Sequence, residues 1–267
     1  MIINPIDRES LRAQVRKASP VPHFKIDGFL DPTFAESVLE AFPSFDEALK
    51  VGRTFSAVNE QKKVQVTDSS LFSQPIAQLN QALAAPEFLD LMSYVFDIPN
   101  LLADDMLVGG GIHQTGPRGH LDVHIDFNYI EDRALHRRLN ILIYFNKDWR
   151  EEWGGNIELW DKDVKVCEHS FLPLFNRCVV FETNEISYHG VTAVKCPADR
   201  SRKSFAAYYY TKEAPKHWTG ESHTTIFKAR PDEIMKGQVL MPIESAKRGV
   251  VTAFRGLKKK IKQTLSR

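Results

Sequence analysis

Cysteine is scarce in this chain, with three residues among 267. Cys167, Cys178 and Cys196 form no CxxC pair and leave an odd count. This set argues against a disulfide framework and favours a reducing compartment, so we predict a cytoplasmic protein. No apolar run is long enough to span a bilayer, and charged residues rather than an apolar run follow the first five residues, which predicts no signal peptide.

An excess of one charge is also lacking, since 35 Lys and Arg residues face 34 Asp and Glu residues and the formal net charge is +1. Bulk charge therefore excludes a strongly basic nucleic-acid binder, and we expect no nucleic-acid partner. The apolar fraction of 43% is ordinary for a globular protein. A chain of this length can bury a full core within one domain, so we predict a single domain over residues 1–267.

The first 103 residues read as an entry strand followed by helices. Phe24–Ile26 alternates like a strand, and Asp31 with Pro32 forms a helix start signal. Apolar residues then recur at helical spacing over 34–42 and again over 70–97. We interpret this region as a buttress that packs against a sheet.

Residues 104–211 have the residue pattern of a β domain. Leu139–Phe145 is a nearly continuous apolar run, as expected for a strand that is buried on both faces. Thr115–Gly119 is a cluster of turn residues, and Asn128–Arg138 reads as a polar connection. Many short strands separated by turn signals indicate a sandwich or barrel, so the fold class is mainly β with N-terminal helices.

Two short polar side chains in this region have the spacing of metal ligands. His124 and Asp126 lie two residues apart, so on a strand they point to the same face. His189, followed by glycine on a later strand, can supply a third ligand. Two imidazoles and one carboxylate on one face of an octahedral ion are typical of non-haem Fe(II) sites. An HxD motif alone is a weak signal, and His120-Leu121-Asp122 is a second one.

A possible anion-binding pair lies on the strand that begins near residue 202. Arg202 and Ser204 share a face of that strand, and a guanidinium can bind both oxygens of a carboxylate. Arg200 is an alternative, but Arg202 is nearer to the apolar residues that follow.

Taken in order, the motifs resemble those of the Fe(II)/2-oxoglutarate-dependent oxygenases, in their prolyl-4-hydroxylase-like branch. The resemblance covers roughly residues 20–211. The matching stretches are His124-x-Asp126, Arg138-Leu139-Asn140-Ile141-Leu142-Ile143-Tyr144-Phe145-Asn146-Lys147-Asp148-Trp149, Gly154-Gly155-Asn156-Ile157-Glu158-Leu159, Phe181-Glu182-Thr183, His189-Gly190-Val191 and Arg202-Lys203-Ser204.

The resemblance implies a double-stranded β-helix, that is, a cupin-like jelly roll, with its core over 104–211. It implies Fe(II) ligation by His124, Asp126 and His189, with O2 and 2-oxoglutarate as co-substrates. Arg202, Ser204 and the hydroxyl of Tyr144 would hold the distal carboxylate of 2-oxoglutarate. The implied reaction is hydroxylation of an unactivated C–H bond, with succinate and CO2 as co-products. Collagen-type prolyl hydroxylases of animals have lysine in place of this arginine, so a collagen-like substrate is not implied.

Two other functions compete with this interpretation. A cupin-type metalloenzyme that does not use 2-oxoglutarate would need no Arg202 and Ser204, and a catalytically silent ligand-binding jelly roll would not need intact metal ligands. The substrate stays open between a peptidyl prolyl residue, a free amino acid, and a sugar or lipid precursor, so we expect a small-molecule or peptidyl partner.

The extension over residues 212–267 ends in a basic segment. Apolar residues recur at steps of three or four over 246–267, and no acidic residue follows Glu244. Such a stripe is typical of a basic amphipathic helix that contacts an anionic membrane surface. The alternative is a terminal helix that docks on the jelly roll, and glycine at 249 and 256 weakens an isolated helix.

Overall fold

The computed structural model describes residues 2–216, 218–233 and 235–241. Within these ranges the α-helices are α1 Arg8–Lys17, α2 Pro32–Glu40, α3 Phe45–Val51, α4 Gln74–Ala84 and α5 Pro86–Phe96. The strands are β1 His23–Asp27, β2 Arg53–Ala57, β3 Glu60–Val66, β4 Leu102–Ala103, β5 Gly111–Ile125, β6 Tyr129–Ile130, β7 Leu135–Tyr144, β8 Ile157–Trp160, β9 Cys167–Phe171, β10 Arg177–Glu182, β11 His189–Val191, β12 Arg202–Thr211 and β13 Ile226–Phe227.

Helices α2 and α3 each begin directly after a residue whose side chain caps the helix N-terminus. The Asp31 carboxylate accepts a hydrogen bond from the Phe34 amide at 2.9 Å, and Pro32 occupies the first turn of α2. Ser44 and Glu47 form a reciprocal capping box at the start of α3. Helices α2, α4 and α5 bury their apolar faces in one core with the central strands of the sheet. The predicted N-terminal helices are therefore confirmed, with α1 and α3 as additional helices.

The strands form one curled antiparallel sheet, and the predicted double-stranded β-helix is confirmed. The order along the sheet is β1, β10, β7, β12, β5, β11, β8 and β9. Leu139, Ile141 and Ile143 on β7 are fully buried, as the continuous apolar run predicts. Strand β7 also extends to Leu135, so the end of the expected polar connection is strand instead.

Strand β5 continues through the segment in which the sequence predicts a turn, and that prediction is wrong. The N-terminal half of β5 pairs with β12, and its C-terminal half pairs with β11. Between them Arg118 adopts a φ of +67°, and β3 shifts its register opposite this point. A Cβ at Gly119 would lie 2.5 Å from the Thr115 side chain and 2.7 Å from the carbonyl of Gln61. The turn residues therefore make a bulge inside the strand rather than ending it.

The chain beyond β12 returns to the sheet as β13. Ile226 pairs with Ile125 and Phe227 with His124, so the extension lies directly beside the end of β5. The basic segment 246–267 lies outside the described residues, and its two interpretations stay predictions, as does the division of the whole chain into one domain. Over the described ranges, the helices lack the combination of length and apolar character that crossing a membrane requires.

Candidate metal centre

Three side chains converge where β5 ends. His189 on β11 pairs directly with His124 on β5, and their ring centroids lie 4.2 Å apart. Asp126 follows the last residue of β5, as expected from its place at the end of the alternation. The Nε2 atom of His124 lies 3.5 Å from Oδ1 of Asp126, and Nε2 of His189 lies 3.4 Å from Oδ2. The three prospective ligand atoms all lie within 4.8 Å of one another.

Hydrogen bonds on the far side of both rings decide which nitrogen carries the proton. Nδ1 of His124 lies 2.8 Å from the carbonyl of Asp122, and Nδ1 of His189 lies 2.8 Å from the carbonyl of Ser187. A carbonyl only accepts, so each Nδ1 is the donor and each neutral ring turns the lone pair of Nε2 towards Asp126. Two lone pairs and a carboxylate then face one another, an arrangement that a bound cation stabilises. The donor set therefore fits a divalent metal such as Fe(II).

Electrostatics keep Asp126 in the form that binds metal. Burial raises the pKa of this carboxyl, but the Arg137 guanidinium together with His189 and His124 holds it well below its usual value. The pKa of His189 is lowered, mainly by burial and also by His124, although Asp126 opposes this. A charged carboxylate and a neutral imidazole are the states that coordinate a metal ion.

The second HxD motif takes part in a different cluster. Asp122 is fully buried and lies 2.5 Å from Nζ of Lys236 and 3.7 Å from Nη1 of Arg230. Its neighbour His120 is 3.5 Å from the same Asp122 oxygen, and its Nε2 also lies 3.2 Å from the carbonyl of Val58. Among the described residues, the cluster that could hold a metal contains His124, Asp126 and His189, and neither member of the second motif. The second motif instead holds the C-terminal extension against β5.

The predicted anion-binding residues lie on the wall of the same cavity. Arg202 is 4% exposed, and its Nε donates to the carbonyl of Gly155 at 2.6 Å. The hydroxyl of Ser204 is buried without a well-aligned hydrogen-bond partner among the described residues. Arg200 is exposed and donates to the carbonyl of Lys147 at 3.2 Å instead. The structure therefore distinguishes the two arginines that the sequence leaves as alternatives.

Tyr144 lies beside Arg202 rather than on the cavity surface. Its ring centroid is 4.9 Å from the guanidinium carbon, and its buried hydroxyl has no well-aligned partner in the described part of the chain. Burial raises the pKa of Tyr144 to about 12, while the Arg202 charge opposes the shift. The phenol is therefore a neutral donor next to the guanidinium, but Tyr144 is not among the described residues that line the cavity.

The cavity that contains these residues has a volume of about 1150 Å³. A site of this size accommodates more than one small ligand, because pockets for drug-sized molecules typically measure roughly 300–1000 Å³. Its outer walls come from the β2–β3 hairpin, from the segment before β5, and from the C-terminal extension. The lining side chains from these three parts include Arg53, Phe55, Lys63, Gln65, Met106, Leu107, Val108, Thr224, Thr225 and Phe227.

The sequence does not assign several residues of this cavity to the site. His113 is opposite Ser204 in the β5–β12 pairing, and its Nε2 lies 2.8 Å from Nε2 of Gln65. The Phe227 ring centroid lies 5.4 Å from that of His124. Arg137 lies against Asp126, although the sequence places it in a connection. These positions follow no motif, because each depends on pairing between distant segments.

Comparison with known proteins shows what the central part of the chain is similar to. Residues 110–210 match the model of the 2OG-Fe(II) oxygenase superfamily. The mouse (Mus musculus) prolyl 3-hydroxylase OGFOD1 is 30% identical over 84 residues, which cover 30% of this chain and 15% of the mouse protein. The chain thus matches well under two thirds of that relative's length.

Two solved structures share the fold. A prolyl hydroxylase from Trichoplax adhaerens, in complex with a peptide fragment of the hypoxia inducible factor oxygen degradation domain, has a TM-score of 0.55 at 18% identity, covering 76% of this chain and 90% of that chain. A prolyl-4-hydroxylase from Pseudomonas putida has a TM-score of 0.50 at 17% identity, covering 75% of this chain and 98% of that chain.

Together, the curled sheet and the His-Asp-His cluster are the fold and the donor set typical of a jelly roll with a non-haem iron site. Over residues 110–210 the chain is similar to the 2OG-Fe(II) oxygenase superfamily, and its relatives there include prolyl hydroxylases. Enzymes of this family are dioxygenases that use Fe(II), 2-oxoglutarate and O2, and the His-Asp-His site of this chain fits iron.

Proposed function

We propose that this protein is an Fe(II)- and 2-oxoglutarate-dependent dioxygenase that hydroxylates an unactivated C–H bond. His124, Asp126 and His189 would bind the iron. Arg202 and Ser204 would bind the distal carboxylate of 2-oxoglutarate, with Tyr144 supporting the guanidinium and adding its hydroxyl.

The observation that carries this proposal is the unmatched charge of Arg202. Its guanidinium is buried, and the structure shows no ion pair between it and a described carboxylate, whereas Arg137 has Asp126 as its partner. A buried cation is costly unless an anion compensates it, and a buried hydroxyl without a partner adds to that cost. The carboxylate of 2-oxoglutarate supplies both missing contacts. A cupin that does not use this keto acid leaves Arg202 and the Ser204 hydroxyl unexplained.

Iron, 2-oxoglutarate and O2 when bound supply the oxidation, in which one oxygen atom enters succinate and the other enters the substrate C–H bond. The residues of the chain orient and shield these groups. Nδ1 of each histidine keeps its proton and donates it in a hydrogen bond to a backbone carbonyl, which fixes both rings. The β2–β3 hairpin and β13 line the outer part of the cavity.

For the substrate, we propose a prolyl residue of a peptide as the first class to test. The similar proteins from mouse, Trichoplax and Pseudomonas are all prolyl hydroxylases. The volume of the cavity supports a second ligand beside the keto acid. Arginine at position 202 separates this chain from the collagen-type enzymes that have lysine there, so proline-containing peptides without collagen repeats are the better probes.

The proposal is tested by succinate formation in the presence of Fe(II), 2-oxoglutarate and O2. We expect the native protein to release succinate slowly without substrate and faster with a proline-containing peptide that gains one oxygen atom. His189→Ala should release none, and His169→Ala, on β9 away from the cavity, should behave as the native protein. Absence of succinate from the native protein under all these conditions would show that the assigned reaction is wrong.

A further inference from the structure

Strand β7 supplies two side chains that contact the metal-binding carboxylate from behind. Nη2 of Arg137 lies 3.0 Å from Oδ2 of Asp126, and Nδ2 of Asn140 donates to the same oxygen at 2.8 Å. The two side chains also bind each other, because Nε and Nη2 of Arg137 donate to Oδ1 of Asn140 at 3.0 and 2.8 Å. The three groups thus form a closed triangle of hydrogen bonds.

Aromatic rings hold the guanidinium of this triangle in place. The guanidinium carbon of Arg137 lies 3.6 Å from the ring centroid of Tyr208 and 4.6 Å from that of Phe127. The Arg137 side chain is 2% exposed, so these cation–π contacts are desolvated. A guanidinium packed between two rings has little freedom to follow a moving carboxylate. Asp126 must therefore adopt the orientation that Arg137 and Asn140 impose.

The triangle makes the two carboxylate oxygens unequal. Each oxygen lies near one imidazole, Oδ1 at 3.5 Å from Nε2 of His124 and Oδ2 at 3.4 Å from Nε2 of His189, but Oδ2 also accepts from Asn140 and lies against Arg137. We propose that Arg137 and Asn140 are positioning residues that fix the Asp126 carboxylate, so that Oδ1 is the oxygen that binds the metal. The proposal rests on the metal site of the proposed function and adds a fourth and a fifth residue to it.

Substitutions that leave the net charge unchanged separate the positioning of Asp126 from the effect of nearby charge on it. Asn140→Leu removes the amide donor at similar volume, and Arg137→Lys keeps the positive charge but loses the planar fork that meets Asp126 and Asn140 together. Neither substitution changes the charge beside the metal. Loss of an outer partner of a metal ligand typically weakens metal binding roughly 10–100-fold, so we expect each variant to bind Co(II) at least about tenfold more weakly.

The experiment is a calorimetric titration of metal-free protein with Co(II), in the absence of 2-oxoglutarate. The visible absorption of the bound Co(II) is recorded in parallel, because a reoriented ligand changes the band positions and a merely structural substitution does not. Arg138→Lys is the matched control, since its neighbouring guanidinium donates to the Thr211 hydroxyl at 3.3 Å and does not contact Asp126. We expect the control to match the native affinity within twofold.

The outcomes separate this inference from the proposed function. The positioning role is supported if the native protein and Arg138→Lys bind Co(II) normally, while Asn140→Leu and Arg137→Lys bind it more weakly and show shifted absorption bands. If Asn140→Leu and Arg137→Lys fold and keep the native Co(II) affinity and absorption bands, the positioning role is wrong and the metal site stands. Native protein that binds no Co(II) would overturn the metal site, and the positioning role with it.

Discussion

At the scale of single residues, the two HxD motifs provide the sharpest comparison in the chain. His124, Asp126 and His189 present their ligand atoms to one another, whereas His120 lies beside Asp122. We predict that alanine at any of the three ligand positions lowers metal affinity by more than the roughly 10–100-fold expected for an outer partner, and abolishes turnover. His120→Ala should retain its metal. Metal analysis of the four purified variants decides this, and loss of metal from His120→Ala with retention in His124→Ala would refute the chosen ligands.

The buried histidines predict how stability depends on pH. Burial is the main cause that lowers the pKa of His113 and His189 in the folded state. Below the ordinary histidine pKa of about 6.5, the unfolded chain therefore binds more protons than the folded chain. The free energy of unfolding of the metal-free protein should decrease as the pH falls from 7 to 5, by up to about 1.4 kcal/mol per pH unit for each such histidine.

Urea unfolding at several pH values measures this effect. His113→Gln should show a smaller loss of unfolding free energy between pH 7 and 5 than the native protein, because one of the groups that takes up a proton on unfolding is gone. A stability that rises towards pH 5, or an unchanged slope in His113→Gln, would contradict the assignment of a neutral buried ring at this position.

At the scale of elements, the C-terminal extension depends on one buried carboxylate. Asp122 on β5 pairs with Lys236, and Arg230 also binds Glu158 on β8 at 2.8 Å. Removing one partner of a buried pair leaves the other uncompensated, so Asp122→Asn should lower the free energy of unfolding by about 3 kcal/mol. We also expect faster tryptic cleavage after Lys228, because β13 loses its anchor.

The matched control for this substitution is Asp163→Asn. Asp163 lies 3.5 Å from Lys165, and both side chains are more than half exposed. An exposed pair of this kind contributes at most about 1 kcal/mol. Equal effects of the two substitutions on urea unfolding would show that Asp122 does not anchor the extension.

The contacts between β5 and the C-terminal extension show which features of the site follow from local sequence and which do not. The spacing of His124 and Asp126 predicts a shared face because strand geometry is local. The approach of Phe227 to His124 depends on pairing between distant segments, and a two-residue strand has no periodicity from which to predict it. Composition predicts a turn at residues 115–119, but the pairing of β5 with partners on both sides makes a bulge more stable there than a chain reversal.

At the scale of the whole molecule, the long strand β5 connects the two parts of the site. Its N-terminal half pairs with Arg202 on β12, and its C-terminal half pairs with His189 on β11. The family motifs predict these residues, since each lies in a matching stretch. Arg137 and the outer cavity walls were not predicted, because charge and composition there are those of ordinary surface segments.

We propose that Arg202 binds 2-oxoglutarate beside an iron held by His124, Asp126 and His189. Anaerobic titration of the protein with Fe(II) and 2-oxoglutarate tests it most directly, through the weak visible charge-transfer band of the complex. Arg202→Ala should weaken 2-oxoglutarate binding roughly ten- to hundredfold, as expected for a charge-assisted contact of about 1.5–3 kcal/mol. Arg200→Ala should bind as the native protein does. Equal effects of the two substitutions, or no band from the native protein, would contradict this role of Arg202 at the iron site.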